Sequence, residues 1–109
     1  MKLCVAQTQP IKGDISANIV NHKKLIDLAI ANGADTLIFP ELSITGYEPK
    51  LAQVLATDKN DAQFNDFQHI SDSQNITIGI GVPTKSFSGI SITMALFQPN
   101  KARETYSKR

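Results

Sequence analysis

One short run limits the possible folds more than any other: Leu37, Ile38 and Phe39, followed at once by Pro40 and Glu41. Three consecutive large apolar residues suit a strand buried on both faces, as in a parallel sheet. Pro40 has no N–H to give a neighbouring strand, so regular pairing is expected to falter there. Glu41 then stands at the carboxyl end of a strand, where ligands bind in open α/β sheets. Against apolar walls the charged form of a carboxylate is disfavoured, which suits it to proton transfer. The plain alternative is a solvated acid, or one that caps the next turn.

The residues on either side of this run extend the pattern. Lys2 to Gln9 reads as a first strand, and Pro10 and Gly13 mark the loop that leaves it. Asp14 is a good N-cap, and Ile15, Ile19, His22, Ile26 and Ala29 recur at helical spacing up to Gly33. Lys23 and Asp27 lie one turn apart and are expected to pair on the wet side, for about 0.3 kcal/mol. Strand, helix and strand in so few residues imply a crossover and parallel pairing. Leu42 to Gln53 reads as a loop. A second helix is predicted over about Asp61 to Ser73, with Phe64, Phe67 and Ile70 inward. A third strand, Ile76 to Val82, should stop at Pro83. Thr84 to Gly89 reads as a turn, Ile90 to Phe97 as a fourth strand, and Gln98 to Lys101 as a tight turn. Glu104 to Arg109 begins a fifth strand.

Alternating β and α followed by a hairpin gives an α/β layered domain with a mixed sheet. Two helices cover only one face of such a sheet, while the strands look apolar on both. The last strand also runs to Arg109 with no stop signal. The expectation is an incomplete domain: residues 1–109 as the amino-terminal part of one larger unit.

Composition narrows the function classes. A net charge of +1 over 109 residues leaves no basic footprint for nucleic acid or a membrane surface. The Leu3-Cys4-Val5-Ala6 run is too short for a secretion signal or a membrane span. Cys4 is the single cysteine, so no internal disulfide is possible, and no Cys/His spacing suits a metal. A reducing compartment follows, and the protein is read as cytoplasmic.

Taken together, these segments resemble the amino-terminal half of the nitrilase superfamily, the carbon–nitrogen hydrolases. The resemblance rests on Ala6-Gln7 in the first strand and on Asn18 with the helix after it. It rests further on Gly33-Ala34-Asp35 before Thr36-Leu37-Ile38-Phe39-Pro40-Glu41, and on Gly46-Tyr47. Gly79-Ile80-Gly81-Val82-Pro83 and Tyr106-Ser107-Lys108 complete it. It implies the layered α-β-β-α sandwich of that family, here an incomplete half with helices on one face. It also implies a Glu-Lys-Cys hydrolase of amides or nitriles, working through an acyl-thioester without cofactor or metal. Glu41 would be the general base, Lys108 the cation that supports the tetrahedral intermediate, and Tyr47 a residue lining the substrate pocket. The full-length protein would be a homo-oligomer, and an amidase is expected ahead of a true nitrilase. The family's cysteine follows its lysine, and Cys4 does not match that position. Cys4 is read as a structural thiol, and the chain by itself as inactive. A non-catalytic remnant or assembly module that keeps the fold is the alternative.

Other residues have plain readings. Gly79 and Gly81 sit within a strand and suit close packing rather than a phosphate loop. His22 and His69 are expected at or near the surface, Phe64 and Phe67 in the core, and Asp35 in a turn-stabilising role.

Overall fold

The computed structural model describes residues 2–6, 10–46, 56, 62–86 and 89–108, apart from the side chains of Ser86 and Lys108. The expected strand–helix–strand unit opens the chain: β1 is Leu3–Val5, α1 is Ile15–Ala31 and β2 is Thr36–Ile38. The two strands run parallel, with Cys4 opposite Leu37. The Asp14 carboxylate accepts the Ala17 N–H at 3.0 Å, satisfying one of the donors a helix start leaves bare. Gly33, at φ +78°, adopts the left-handed conformation just past the other end. Of the predicted first strand, Leu3–Val5 is observed, and residues 7–9 lie outside the described ones. β2 ends where Pro40 requires. The Phe39 N–H still reaches the Gly79 carbonyl at 2.8 Å, and the next residue has no N–H to continue. Asp35 does not stabilise its own turn. Its carboxylate accepts the Lys2 N–H and so extends the β1–β2 pairing.

A 3-10 turn at Ala62–Phe64 leads into α2, Asn65–Gln74. Lys23 reaches across to Asp66 on α2 at 2.6 Å rather than to Asp27 on its own helix. The two helices pack on the same face of the sheet, which puts Asp66 within reach of Lys23. Asn75 then adopts φ +53° and ends α2.

β3 is Thr77–Ser86, β4 Gly89–Phe97 and β5 Glu104–Lys108. The sheet order is β1-β2-β3-β4-β5, parallel through β3 and antiparallel beyond it. The strand continues through Pro83 to Ser86, which corrects the predicted stop at Pro83 and the turn from Thr84. Gly79 and Gly81 turn their backbone groups toward β2 and the chain that follows it. Pro83 shares that side by alternation, and β2 has already ended there. The missing N–H breaks no ladder bond, because the bonds to β4 come from the residues between.

The core lies between the helices and one face of the sheet. Ile26 of α1 and Phe67 of α2 pack with Leu37, Ile78, Ile80 and Phe97 in one cluster. Phe64, Phe67 and Phe97 form a chain of rings, with centroids 6.5 and 5.7 Å apart. Burying each such ring stabilises the fold by roughly 2–3 kcal/mol. The other face carries no helix among the described residues. There Leu3 and Val5 are 61% and 71% exposed, and Tyr106 is also exposed. This is the one-sided α/β layer expected from two helices.

Candidate active site

Glu41 belongs to a turn, residues 40–46, that leaves β2 and passes beside Gly81 of β3, with Pro40 to Leu42 over the open face and Ile44 in the core cluster. The turn is closed by bonds from Ser43 N–H to Pro40, Thr45 N–H to Leu42 and Gly46 N–H to Leu42. Leu42, directly after Glu41, holds φ +51° although it is not glycine. That left-handed conformation costs about 1–2 kcal/mol and persists only where the surroundings enforce it. Here they do, since Leu42, Ser43, Ile44 and Thr45 are all buried.

Gly81 allows the crossing. A Cβ on it would lie 2.5 Å from Leu42 N and 2.9 Å from the Glu41 carbonyl carbon, and would also strike the Pro40 oxygen. Gly79 is crowded only by side-chain tips, Ile38 Cδ1 and Met94 Sδ, each 2.9 Å away. The close-packing reading of both glycines holds, and at Gly81 the close neighbour is the backbone that carries Glu41.

The helix side of the sheet fixes the same turn. Asn18, buried in α1, donates to the Ile44 carbonyl at 2.7 Å and exchanges bonds with the backbone of Ile11. His22, one helical turn on, is fully buried. This corrects its expected place at the helix surface. Its ring stacks on Phe39, with centroids 4.0 Å apart. Nδ1 lies 2.6 Å from the Asn18 carbonyl oxygen and Nε2 2.8 Å from Ser43 Oγ. A carbonyl only accepts, so Nδ1 carries the hydrogen. In the neutral ring Nε2 then accepts from the Ser43 hydroxyl. Ser43 Oγ in turn accepts the Gly81 N–H at 3.1 Å. Burial pushes the His22 pKa down to about 4, and its bond to the Asn18 carbonyl opposes part of that shift. The ring is neutral at ordinary pH. The signal for this was available in the sequence: 18, 22, 26 and 29 lie on one side of α1, so two polar residues fall within an apolar stripe.

Glu41 itself is exposed. The apolar enclosure expected around it is not formed, because nothing described covers the open face. Its neighbours are Gly81, Ile92, Met94 and Tyr106, which with it line an open cleft of about 280 Å³. Gly81, Met94 and Tyr106 stand opposite one another on three adjacent strands, so the cleft follows a row across the sheet. The Tyr106 hydroxyl donates to the Glu104 carboxylate at 2.7 Å, which raises the phenol's pKa. Lys108 is two residues further along β5, with its backbone opposite Ile92. Its side chain lies outside the described residues, and so does Tyr47. Cys4 belongs to the other side of the sheet. It packs against the core cluster and borders a groove with Leu25 and Leu28 of α1. His69 is exposed, as expected. Among the described residues no group of three His, Cys, Asp or Glu could hold a metal ion, and no helix is long and apolar enough to cross a membrane.

Comparison with known proteins gives a family and a fold. The carbon–nitrogen hydrolase family profile matches residues 2–109. No curated protein matches the sequence. An N-terminal amidase solved with a Gln-Gly peptide is similar over 95% of this chain and 26% of its own, at 22% identity and TM-score 0.77. The NitN amidase from Neterenkonia sp. AN1 is 22% identical over 99% of this chain and 44% of its own, at TM-score 0.82. A CN-hydrolase superfamily protein from Xanthomonas campestris is 19% identical over 96% of this chain and 40% of its own, also at 0.82. The chain thus spans between about a quarter and under half of the length of these structures.

Proposed function

The chain belongs to the carbon–nitrogen hydrolase family, and on that footing we propose that it supplies the base and the cation of a thiol hydrolase acting on non-peptide C–N bonds. In this reading residues 1–109 are the amino-terminal part of a larger catalytic domain, and the nucleophilic cysteine comes from outside them. The observation that carries it is the cleft on the open face. Glu41 and Tyr106 line it together, and Lys108 follows two residues later on the same strand.

The chemistry assigns each group a step. The Glu41 carboxylate takes the proton from the thiol, and the thiolate adds to the amide carbon. The carbonyl oxygen becomes an oxyanion, which the Lys108 ammonium stabilises once the cleft is closed to water. The C–N bond then breaks, Glu41 returns its proton to the departing nitrogen, and an acyl-thioester remains. Glu41 next takes a proton from water, whose oxygen attacks the thioester. The acid leaves and the thiol is restored. Cys4 cannot serve as the nucleophile, because it packs on the helix side of the sheet and Glu41 stands on the other. A small amide is the expected substrate, ahead of a nitrile. We further propose a cytoplasmic homo-oligomer for the full-length protein.

The test is to assay the full-length gene product on a panel of small amides and nitriles, before and after thiol alkylation. Release of ammonia or amine that alkylation abolishes, with an acyl adduct on a cysteine other than Cys4, is expected. A folded product that hydrolyses none of them, or whose activity ignores alkylation, would overturn the reading. The open apolar face favours a second reading, a non-catalytic assembly module. It predicts a full-length product with no cysteine facing Glu41.

A further inference from the structure

We propose that His22 and Ser43 act as one positioning unit that holds the Glu41 turn on β3 from the opposite side of the sheet. The inference rests on the reading of Glu41 as the base, and adds residues that this reading does not use. Three observations carry it. The first is a directed series of bonds: Gly81 N–H to Ser43 Oγ, Ser43 O–H to His22 Nε2, and His22 Nδ1–H to the Asn18 carbonyl. Ser43 and the His22 ring each have one donor and one acceptor role filled, between a fixed donor at Gly81 and a fixed acceptor at Asn18, so the series has one arrangement while the ring is neutral.

The second is position. Ser43 is two residues after Glu41, inside the turn. Gly81 is the residue on which that turn rests, with no room for a Cβ between them. A change at His22 therefore reaches the backbone of Glu41 through a single intervening side chain. The third is strain. Leu42 sits between Glu41 and Ser43 in a left-handed conformation. A turn held in that state relaxes when a fastening is released, and the carboxylate moves with it. His22 touches no part of the open cleft. It lies between Phe39, Phe67 and the backbone of Asn18 on the helix side. Its role is to hold, and it takes no part in proton transfer.

The experiment is a double-mutant cycle in the full-length gene product, using H22F, S43A and the pair, with H22Q as the conservative replacement. Phenylalanine keeps the stacking on Phe39 and removes both ring nitrogens. Glutamine keeps an acceptor for the Ser43 hydroxyl. We expect H22F and S43A each to lower kcat by about tenfold or more with KM within threefold. The pair should cost no more than either alone, since both break the same unit. H22Q should recover most of kcat. Amide hydrogen exchange at 41–46 should quicken in H22F and S43A while β4 and β5 keep their protection. Additive losses, equal damage from H22Q and H22F, or exchange that quickens uniformly would overturn the proposal. If H22F fails to fold, S43A alone decides it, because it removes the connecting hydroxyl with almost no change in volume. A full-length product that is inactive, or indifferent to E41Q, would refute the catalytic reading, and the exchange pattern would still decide whether His22 holds the turn.

Discussion

On the helix side of the sheet, Ile78, Ile80 and Phe97 are fully buried. On the other, Leu3, Val5 and Tyr106 are more than half exposed. The inner strands β3 and β4 supply the first set and the outer strands β1 and β5 the second, so the contrast combines an uncovered face with the rim of the sheet. The covered face is closed by rings and β-branched chains and supplies the stability. The open face carries two glycines, Glu41 and Tyr106, while the strained turn after Glu41 runs into the buried core at Ile44. Glu41 and Tyr106 thus line a cleft on the uncovered side, and Asn18 and His22 on the helix side bond to the turn that carries Glu41.

The comparison is broken most severely by E41Q in the full-length gene product. Glu41 is exposed and its replacement keeps the volume, so turnover should fall by about 10³-fold with the melting temperature unchanged. A variant that loses the fold along with the activity would mean that the open face is structural after all. F67A removes a ring with no exposure from the covered face and should cost about 3–5 kcal/mol in denaturant unfolding. V5S on the open face should cost a small fraction of that.

His22 sharpens the contrast through pH. Its folded pKa is near 4 against an ordinary 6.5, so between those values the unfolded chain binds a proton that the folded one refuses. The stability it contributes is fully present above about pH 6.5 and declines as pH falls toward about 4. The span is about 3 kcal/mol. Unfolding curves from pH 7 to 4 should show this slope, and H22F should lack it. The two glycines give the finest discrimination. G81A meets backbone and should cost about 2–3 kcal/mol, whereas G79A meets the ends of Ile38 and Met94, which can turn aside, and should cost about 1 kcal/mol.

Much of this was legible in the sequence. The apolar run ending at Pro40, the cap at Asp14 and the burial of Phe64 and Phe67 follow from local rules, and the structure keeps them, although Phe64 lies in the 3-10 turn and the second helix starts only at Asn65. The site was legible only at its centre. Glu41 could be found at a strand end, but the cleft it shares with Tyr106 depends on the register of β3, β4 and β5. Pro83 misled because its effect depends on whether a strand lies on its N–H side, which is a matter of the whole sheet. His22 misled for a related reason. A histidine in an apolar stripe is a surface residue or a buried anchor according to whether a partner such as Ser43 comes to meet it, and Ser43 is 21 residues away.

The account stands on a carboxylate and an ammonium serving one small molecule on the uncovered side of the sheet. A crystal structure of the full-length gene product with a bound amide tests this most directly. The account predicts that the Glu41 carboxylate and the Lys108 ammonium both reach that amide by hydrogen bonds, above Gly81. Side chains that point to opposite sides of the sheet, or stand too far apart for one small molecule to touch both, would contradict it.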